Sequence, residues 1–160
     1  MAKVGDKVPS ATLYELGSEG PKPVKTDELF APGKKVVAFA LPGAFTPTCS
    51  AKHVPGFVAD ADKFKAKGVD TVACISVNDA FVMGEWGKNQ KADGKVKMLA
   101  DGSAEFSKAM DLVMDLTSRG MGVRSQRYAM IVDNGVIKGL FVEKPGAFEV
   151  SSAENVLKHL

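Results

Sequence analysis

Cys49 and Cys74 are the only thiols in the chain, and their settings differ. Cys74 lies in Val72-Ala73-Cys74-Ile75, apolar on both sides, where a thiol packs as a small hydrophobe and is usually inert. Cys49 closes the run Pro42-Gly43-Ala44-Phe45-Thr46-Pro47-Thr48-Cys49. Two prolines stiffen that run, and Thr46 and Thr48 bring hydroxyls near the sulfur, where simple packing would prefer aliphatic groups. The chemistry within reach is nucleophilic and redox chemistry at sulfur, provided that the surroundings favour the thiolate. His53, one helical turn after Cys49, could serve as the base of a Cys–His pair. The commoner reading is a histidine of a polar network, because a thiolate already formed needs no base.

The elements that must position Cys49 follow from the pattern around it. Lys35 to Leu41 holds six consecutive apolar residues and predicts a buried strand that delivers the loop. Val54, Phe57, Val58, Ala61 and Phe64 recur at helical spacing and predict a helix running to about Lys67 and stopped at Gly68. Cys49 then sits in the first turn, where unpaired N–H groups and the positive end of the helix dipole favour an anion. Pro55 lies inside that helix and donates nothing, so a kink or weakened turn is expected just past Cys49.

Thr12-Leu13-Tyr14 reads as a short strand, and Pro21 to Val24 as a turn leading into a second. Thr26 caps a short helix to Phe30, stopped by Pro32-Gly33. Val69 to Val77 predicts a second buried strand, and Asn78-Asp79 caps a helix through Phe81, Val82 and Trp86. Val96 to Ala100 is a strand. Ser103 is expected to cap a helix carrying Phe106, Met110 and Val113, and residues 115–124 read as an irregular loop. Gln126 to Val132 and Val136 to Val142 flank Asn134-Gly135, a hairpin signal. Ser151-Ser152-Ala153-Glu154 reads as a capping box for a last helix to Leu160. This order predicts one α/β domain over residues 1–160, with a central mixed sheet flanked by helices: parallel crossovers first, an antiparallel hairpin last.

Composition narrows the function. A net charge of +2 from 21 basic and 19 acidic residues offers no field to recruit nucleic acid. No segment approaches the ~20 apolar residues needed to cross a bilayer. Met1 to Ser18 lacks the unbroken apolar stretch of a signal peptide, so a cytoplasmic location is expected. In a reducing compartment the two cysteines would pair only transiently. A disulfide oxidoreductase requires C-x-x-C, but Thr46 stands three residues before Cys49 and Lys52 three after. A zinc site of Cys49, His53, Cys74 and His159 has sufficient ligands but no compact spacing.

Pro42-x-x-x-Thr46-x-x-Cys49 resembles the active-site signature of the peroxiredoxins, thiol peroxidases of the thioredoxin fold. PGAFTPTCS followed by KHVPGF is similar to the type II, atypical branch, also called the peroxiredoxin-5 subfamily. The likeness extends through Gly68 to Met83, Ala100 to Ser103 and Arg124 to Gly135, nearly the whole chain. It implies a thioredoxin-like three-layer sandwich, no cofactor and no metal. It further implies that Cys49 attacks hydrogen peroxide or alkyl hydroperoxides and becomes a sulfenic acid. In the same reading the Thr46 hydroxyl and the N–H groups of Thr48 and Cys49 bind the peroxide, and Pro42 shields the sulfur. Arg127 would lie against Thr46 and the sulfur, with Arg124 as a helper. The resemblance also implies a homodimer formed around the active-site loop, including Phe45. Val150-Ser151-Ser152 stands where some relatives carry a resolving cysteine, which leaves Cys74 as a conditional one. Recycling by glutathione and glutaredoxin is favoured, with thioredoxin as the reductant if Cys49 and Cys74 pair.

Overall fold

The computed structural model describes all residues, Met1 to Leu160. Its central strand is β3 (Lys35–Leu41), whose side chains alternate between two buried faces. Val37, Phe39 and Leu41 point into one core, and Val36, Ala38 and Ala40 into the other. A strand buried on both sides reads as a continuous apolar run, which is why its bounds were visible in the sequence. β4 (Thr71–Ser76) lies parallel beside β3, and β5 (Lys97–Ala100) parallel beside β4. On the other side of β3 runs β8 (Tyr128–Asp133), antiparallel, followed by β9 (Val136–Val142). Asn134 and Gly135 both take positive φ, 55° and 77°, the pair required by the two-residue turn between β8 and β9. The hairpin β1 (Thr12–Gly17) and β2 (Gly20–Lys25) completes the far edge, giving the order β2-β1-β5-β4-β3-β8-β9.

Helices cover both faces, so the expected three-layer α/β sandwich is the architecture observed. α2 (Val54–Ala59), α3 (Ala61–Ala66), α4 (Ala80–Asn89) and α6 (Ala153–Lys158) pack on the face that holds Phe39. There Phe57 stacks on Phe39 with centroids 4.0 Å apart, and Phe64 continues the stack at 5.4 Å from Phe57. Burying each such ring contributes ~3 kcal/mol. α1 (Thr26–Leu29) and α5 (Glu105–Ala109) cover the opposite face through Leu29 and Phe106.

Several local expectations are corrected. Thr26 does not cap α1: its hydroxyl donates to Pro9 O and accepts from Ala11 N–H, tying the N-terminal segment to the β2 exit. Ser103 does not cap α5 either. The buried Asp101 carboxylate accepts from the N–H groups of Phe106 and Ser107, while Ala104 enters with φ 58°. Val113 belongs to a strand rather than to α5. Residues 115–124, read as irregular, are largely the hairpin of β6 (Val113–Leu116) and β7 (Gly122–Ser125), joined through a 3-10 turn at Thr117–Arg119. Its strands are short and half-buried almost throughout, so no alternation of period two shows. The last helix is capped by Ser152, which accepts from Asn155 N–H, one position later than the expected Ser151 box. The helix after Cys49 is also not uniform: a π-helical turn at Cys49–His53 precedes α2, and Asp60 separates α2 from α3.

Candidate active site

β3 ends at Leu41, and the Pro42–Thr46 loop folds over its carboxyl end. Pro47 then opens the helix with a pre-set φ, and Ser50 N–H donates to Thr46 O at 3.0 Å, the first helical bond. Cys49 is therefore the third residue of the turn. Pro47 has no N–H, and those of Thr48 and Cys49 donate to no protein acceptor. Two unpaired donors thus stand at the helix start that carries Cys49.

The turn then widens: Val54 N–H donates to Cys49 O, five residues back. Pro55 supplies the cause, since it can donate to neither Ser50 nor Ala51 and so ends regular bonding at this point. Of the kink or weakened turn expected from Pro55, the structure shows the weakened turn, as this π turn.

The loop is braced from outside. Arg124 donates from Nη1 to Pro42 O at 3.2 Å and from Nε to Met121 O at 2.8 Å. A Cβ on residue 43 would come within 2.7 Å of that Nη1, so any larger residue there would push the Arg124 guanidinium off Pro42 O. Asn78 Oδ1 accepts from Ala44 N–H at 2.9 Å and from the Ser76 hydroxyl at 2.6 Å, fastening the loop to the end of β4. Phe45 has φ 63°, a rare conformation for a bulky residue that the surrounding bonds hold in place. Its ring, 51% exposed, has an intrachain neighbour in Trp86, with ring centroids 6.2 Å apart. The Trp86 indole donates to Ser50 Oγ at 3.0 Å, anchoring the π turn to α4.

Cys49 Sγ is buried and accepts a hydrogen bond from Arg127 Nη2 at 3.2 Å. Arg127 Nη1 lies 2.9 Å from His53 Nδ1, and His53 Nε2 lies 3.0 Å from Ser151 O. A guanidinium only donates and a carbonyl only accepts, so Nδ1 must be the acceptor and Nε2 must carry the proton. Burial first, and the Arg127 cation second, lower the His53 pKa from its ordinary 6.5 to about 3, against the opposing pull of Ser151 O and Glu143. His53 is thus a neutral acceptor for Arg127 and not a base for the thiol.

A pH dependence follows. The folded pKa lies below the unfolded one, so the unfolded chain binds more protons between about 3 and 6.5. Stability from this group is complete above pH ~6.5 and falls with acid by at most ~1.4 kcal/mol per unit. Urea titrations from pH 7 to 5 should show a steeper loss for wild type than for His53→Asn; parallel curves would contradict the assignment.

The sequence-predicted residues are brought together unequally. Cys49, Arg127 and His53 converge. The Thr46 hydroxyl donates to Gly43 O at 2.7 Å, and the hydrogen bonds of the Arg127 guanidinium go to the sulfur, as expected, and to His53. Cys74, on β4 opposite Phe39, shares the buried core that contains Cys49. Burial first, and neighbouring Cys49 second, push its thiol up, against the Arg127 cation. His159 lies tilted against Phe141 with ring centroids 4.7 Å apart and bonds to Asn155 O, which leaves the postulated zinc ligands dispersed. Sequence reasoning missed Asn78, Ser50, Trp86 and Ser151, which bear on the site only through tertiary contacts.

The family model described as Redoxin matches residues 3–157. Peroxiredoxin-2E, chloroplastic, of Arabidopsis thaliana is 51% identical over 160 residues, covering 98% of this chain and 68% of that relative. The chain belongs to the peroxiredoxins. It is similar to reduced Prx3 of Vibrio vulnificus, solved in complex with h2o2, at 55% identity and TM-score 0.95, with 99% of each chain covered. It is also similar to peroxiredoxin 5 of Alvinella pompejana at 34% identity and TM-score 0.85, covering 99% of this chain and 97% of that one. As a peroxiredoxin it is a thiol-dependent peroxidase of thioredoxin-like fold, and its site must be judged by how it handles a peroxide.

Proposed function

We propose that Cys49 is the peroxidatic residue, reducing hydrogen peroxide and small alkyl hydroperoxides. The observation that carries this reading is the Arg127 guanidinium at 3.2 Å from a buried sulfur, beside two unpaired helix-start N–H groups. The thiolate sulfur attacks the distal peroxide oxygen, the O–O bond breaks, and sulfur is oxidised by two electrons to a sulfenic acid. The departing alkoxide or hydroxide takes a proton from solvent. The N–H groups of Thr48 and Cys49 serve to hold the peroxide, and Arg127 stabilises charge moving from sulfur to oxygen. The Thr46 hydroxyl, which directs its hydrogen to Gly43 O, offers lone pairs to the proton of the bound peroxide. Pro42, half-buried and held by Arg124, shields the sulfur from bulk water.

Recycling is assigned to glutathione with glutaredoxin. Glutathione displaces water from the sulfenic acid to give a mixed disulfide, and a second thiol then returns Cys49 to the thiol. The support is the burial of Cys74 in the middle of a three-strand parallel array, where its unfavourable thiolate and fixed backbone oppose pairing with a cysteine in a helical turn. Peroxide consumption should therefore run with glutathione and glutaredoxin, with near-normal turnover in Cys74→Ser. Intact mass after one equivalent of peroxide should show a glutathione adduct. Rapid loss of two hydrogens in wild type but not in Cys74→Ser would instead favour the intramolecular disulfide and thioredoxin.

Phe45 stands exposed within the loop that Asn78 fastens, and Phe81 is exposed on the first turn of α4 two residues after Asp79; a homodimer covering the active-site loop is part of the proposal. Light scattering at tens of micromolar protein should give twice the 16.9 kDa chain mass. A monomer throughout would remove it.

A further inference from the structure

Glu143 follows β9 and is buried, although it touches neither Cys49 nor Arg127's guanidinium by hydrogen bond. Its Oε2 accepts three bonds from the segment before α6: Glu149 N–H at 2.8 Å, Ser151 N–H at 2.9 Å and Ser151 Oγ at 2.7 Å. Burial pushes this carboxyl up, but the Ser151 hydroxyl and the backbone donors outweigh it, so it lies below its ordinary range and is ionised at neutral pH. A buried carboxylate with three donors on one oxygen holds that segment in a single arrangement. The group so held is Ser151, whose carbonyl receives the His53 Nε2 proton. The other end of Glu143 meets Arg127 directly, since the Glu143 N–H donates to Arg127 O at 2.9 Å. One residue thus fixes the backbone of Arg127 and, through Ser151 and His53, the direction of its guanidinium.

We propose that Glu143 is a positioning residue for peroxide reduction, acting through Ser151 O and His53 to hold the Arg127 guanidinium on the Cys49 sulfur. The inference rests on the reading of Cys49 and Arg127 given above. Without the clamp, the Ser151 carbonyl can turn away. The buried Nε2–H of His53 then loses its acceptor, the ring is free to rotate, and Nδ1 no longer faces Nη1. Arg127 keeps its charge but loses the two-point hold that places Nη2 on sulfur. Phe148, whose ring centroid lies 5.1 Å from that of His53 and 6.0 Å from Arg127 Cζ, fills the same segment and cannot replace these hydrogen bonds.

The test is a double-mutant cycle in the full chain, read by the rate of Cys49 oxidation by hydrogen peroxide and by the pH profile of iodoacetamide alkylation. Glu143→Gln keeps the shape but offers an uncharged amide to three donors. It should slow oxidation by about tenfold, a coupling of ~1.4 kcal/mol, typical of one hydrogen-bond network, and move the alkylation profile to higher pH. In a His53→Phe background, which removes both ring nitrogens' bonds, the same change should have almost no further effect. Should Glu143→Gln fail to fold, Ser151→Ala removes one of the three donors but keeps the carbonyl, and should show the same dependence on His53 at smaller amplitude. Equal effects in the two backgrounds, or slowed oxidation with an unmoved alkylation profile, would overturn the proposal. Arg127→Ala run alongside separates the levels: if it leaves the rate unchanged, the reading of Arg127 fails, whereas a slow Arg127→Ala with an additive cycle overturns the role of Glu143 alone.

Discussion

Cys49→Ser is expected to abolish hydroperoxide consumption, leaving only the background reaction of the reductant. Serine fits the same buried place at the third position of the turn, and Arg127 and the free N–H groups of Thr48 and Cys49 remain around it. A hydroxyl, however, is not appreciably ionised at neutral pH and is a poor nucleophile toward peroxide oxygen. Cys74 cannot take over, because it lies mid-strand without a guanidinium donor like that on Cys49 and its thiol is pushed up. The variant should unfold close to the wild-type temperature, since only one buried atom changes and its neighbours keep their bonds. Steady-state peroxide loss with glutathione and glutaredoxin, beside a thermal melt, gives both numbers. Retained turnover in a folded variant would move the chemistry away from Cys49.

Arg127→Ala should cost 100- to 1000-fold in the second-order rate of Cys49 oxidation, the range of ~2.7–4 kcal/mol seen when a preorganised donor to developing charge is removed. Its guanidinium is the side-chain donor on the sulfur, so deletion takes away both a charge favouring thiolate and a group that follows charge onto the leaving oxygen. Deletion also leaves the buried His53 Nδ1 without its donor, which costs ~1–3 kcal/mol of stability. Arg127→Lys should recover little: one ammonium on a flexible stem cannot address Sγ and Nδ1 together as the planar fork does. Stopped-flow oxidation rates and melts of the three proteins check this. Full recovery with lysine would reduce the role of Arg127 to charge alone.

What could be read from the sequence was whatever depends on neighbours along the chain. β3 appears as an apolar run, the β8–β9 turn as Asn134-Gly135, and the nucleophile as a thiol between a strand and a helical stripe. The position of the helix defect was legible too, through Pro55. Its form was not, because an i to i+5 bond leaves no mark in apolar spacing. Ser103 looked like a cap by residue type, but Asp101 reached the same N–H groups first from the end of β5. Ser151 likewise gave up its expected cap to Glu143. His53 was recognised as a network histidine, yet its partners, Arg127 and Ser151, lie 74 and 98 positions away. Only the folded sheet brings them to the sulfur.

The most direct measurement treats the fully reduced protein with one equivalent of hydrogen peroxide in the presence of dimedone, followed by peptide mass spectrometry. A sulfenic acid adduct confined to the peptide containing Cys49, formed in wild type and lost in Cys49→Ser, is the predicted result. An adduct on Cys74, or peroxide consumed with Cys49 still reduced, would contradict it.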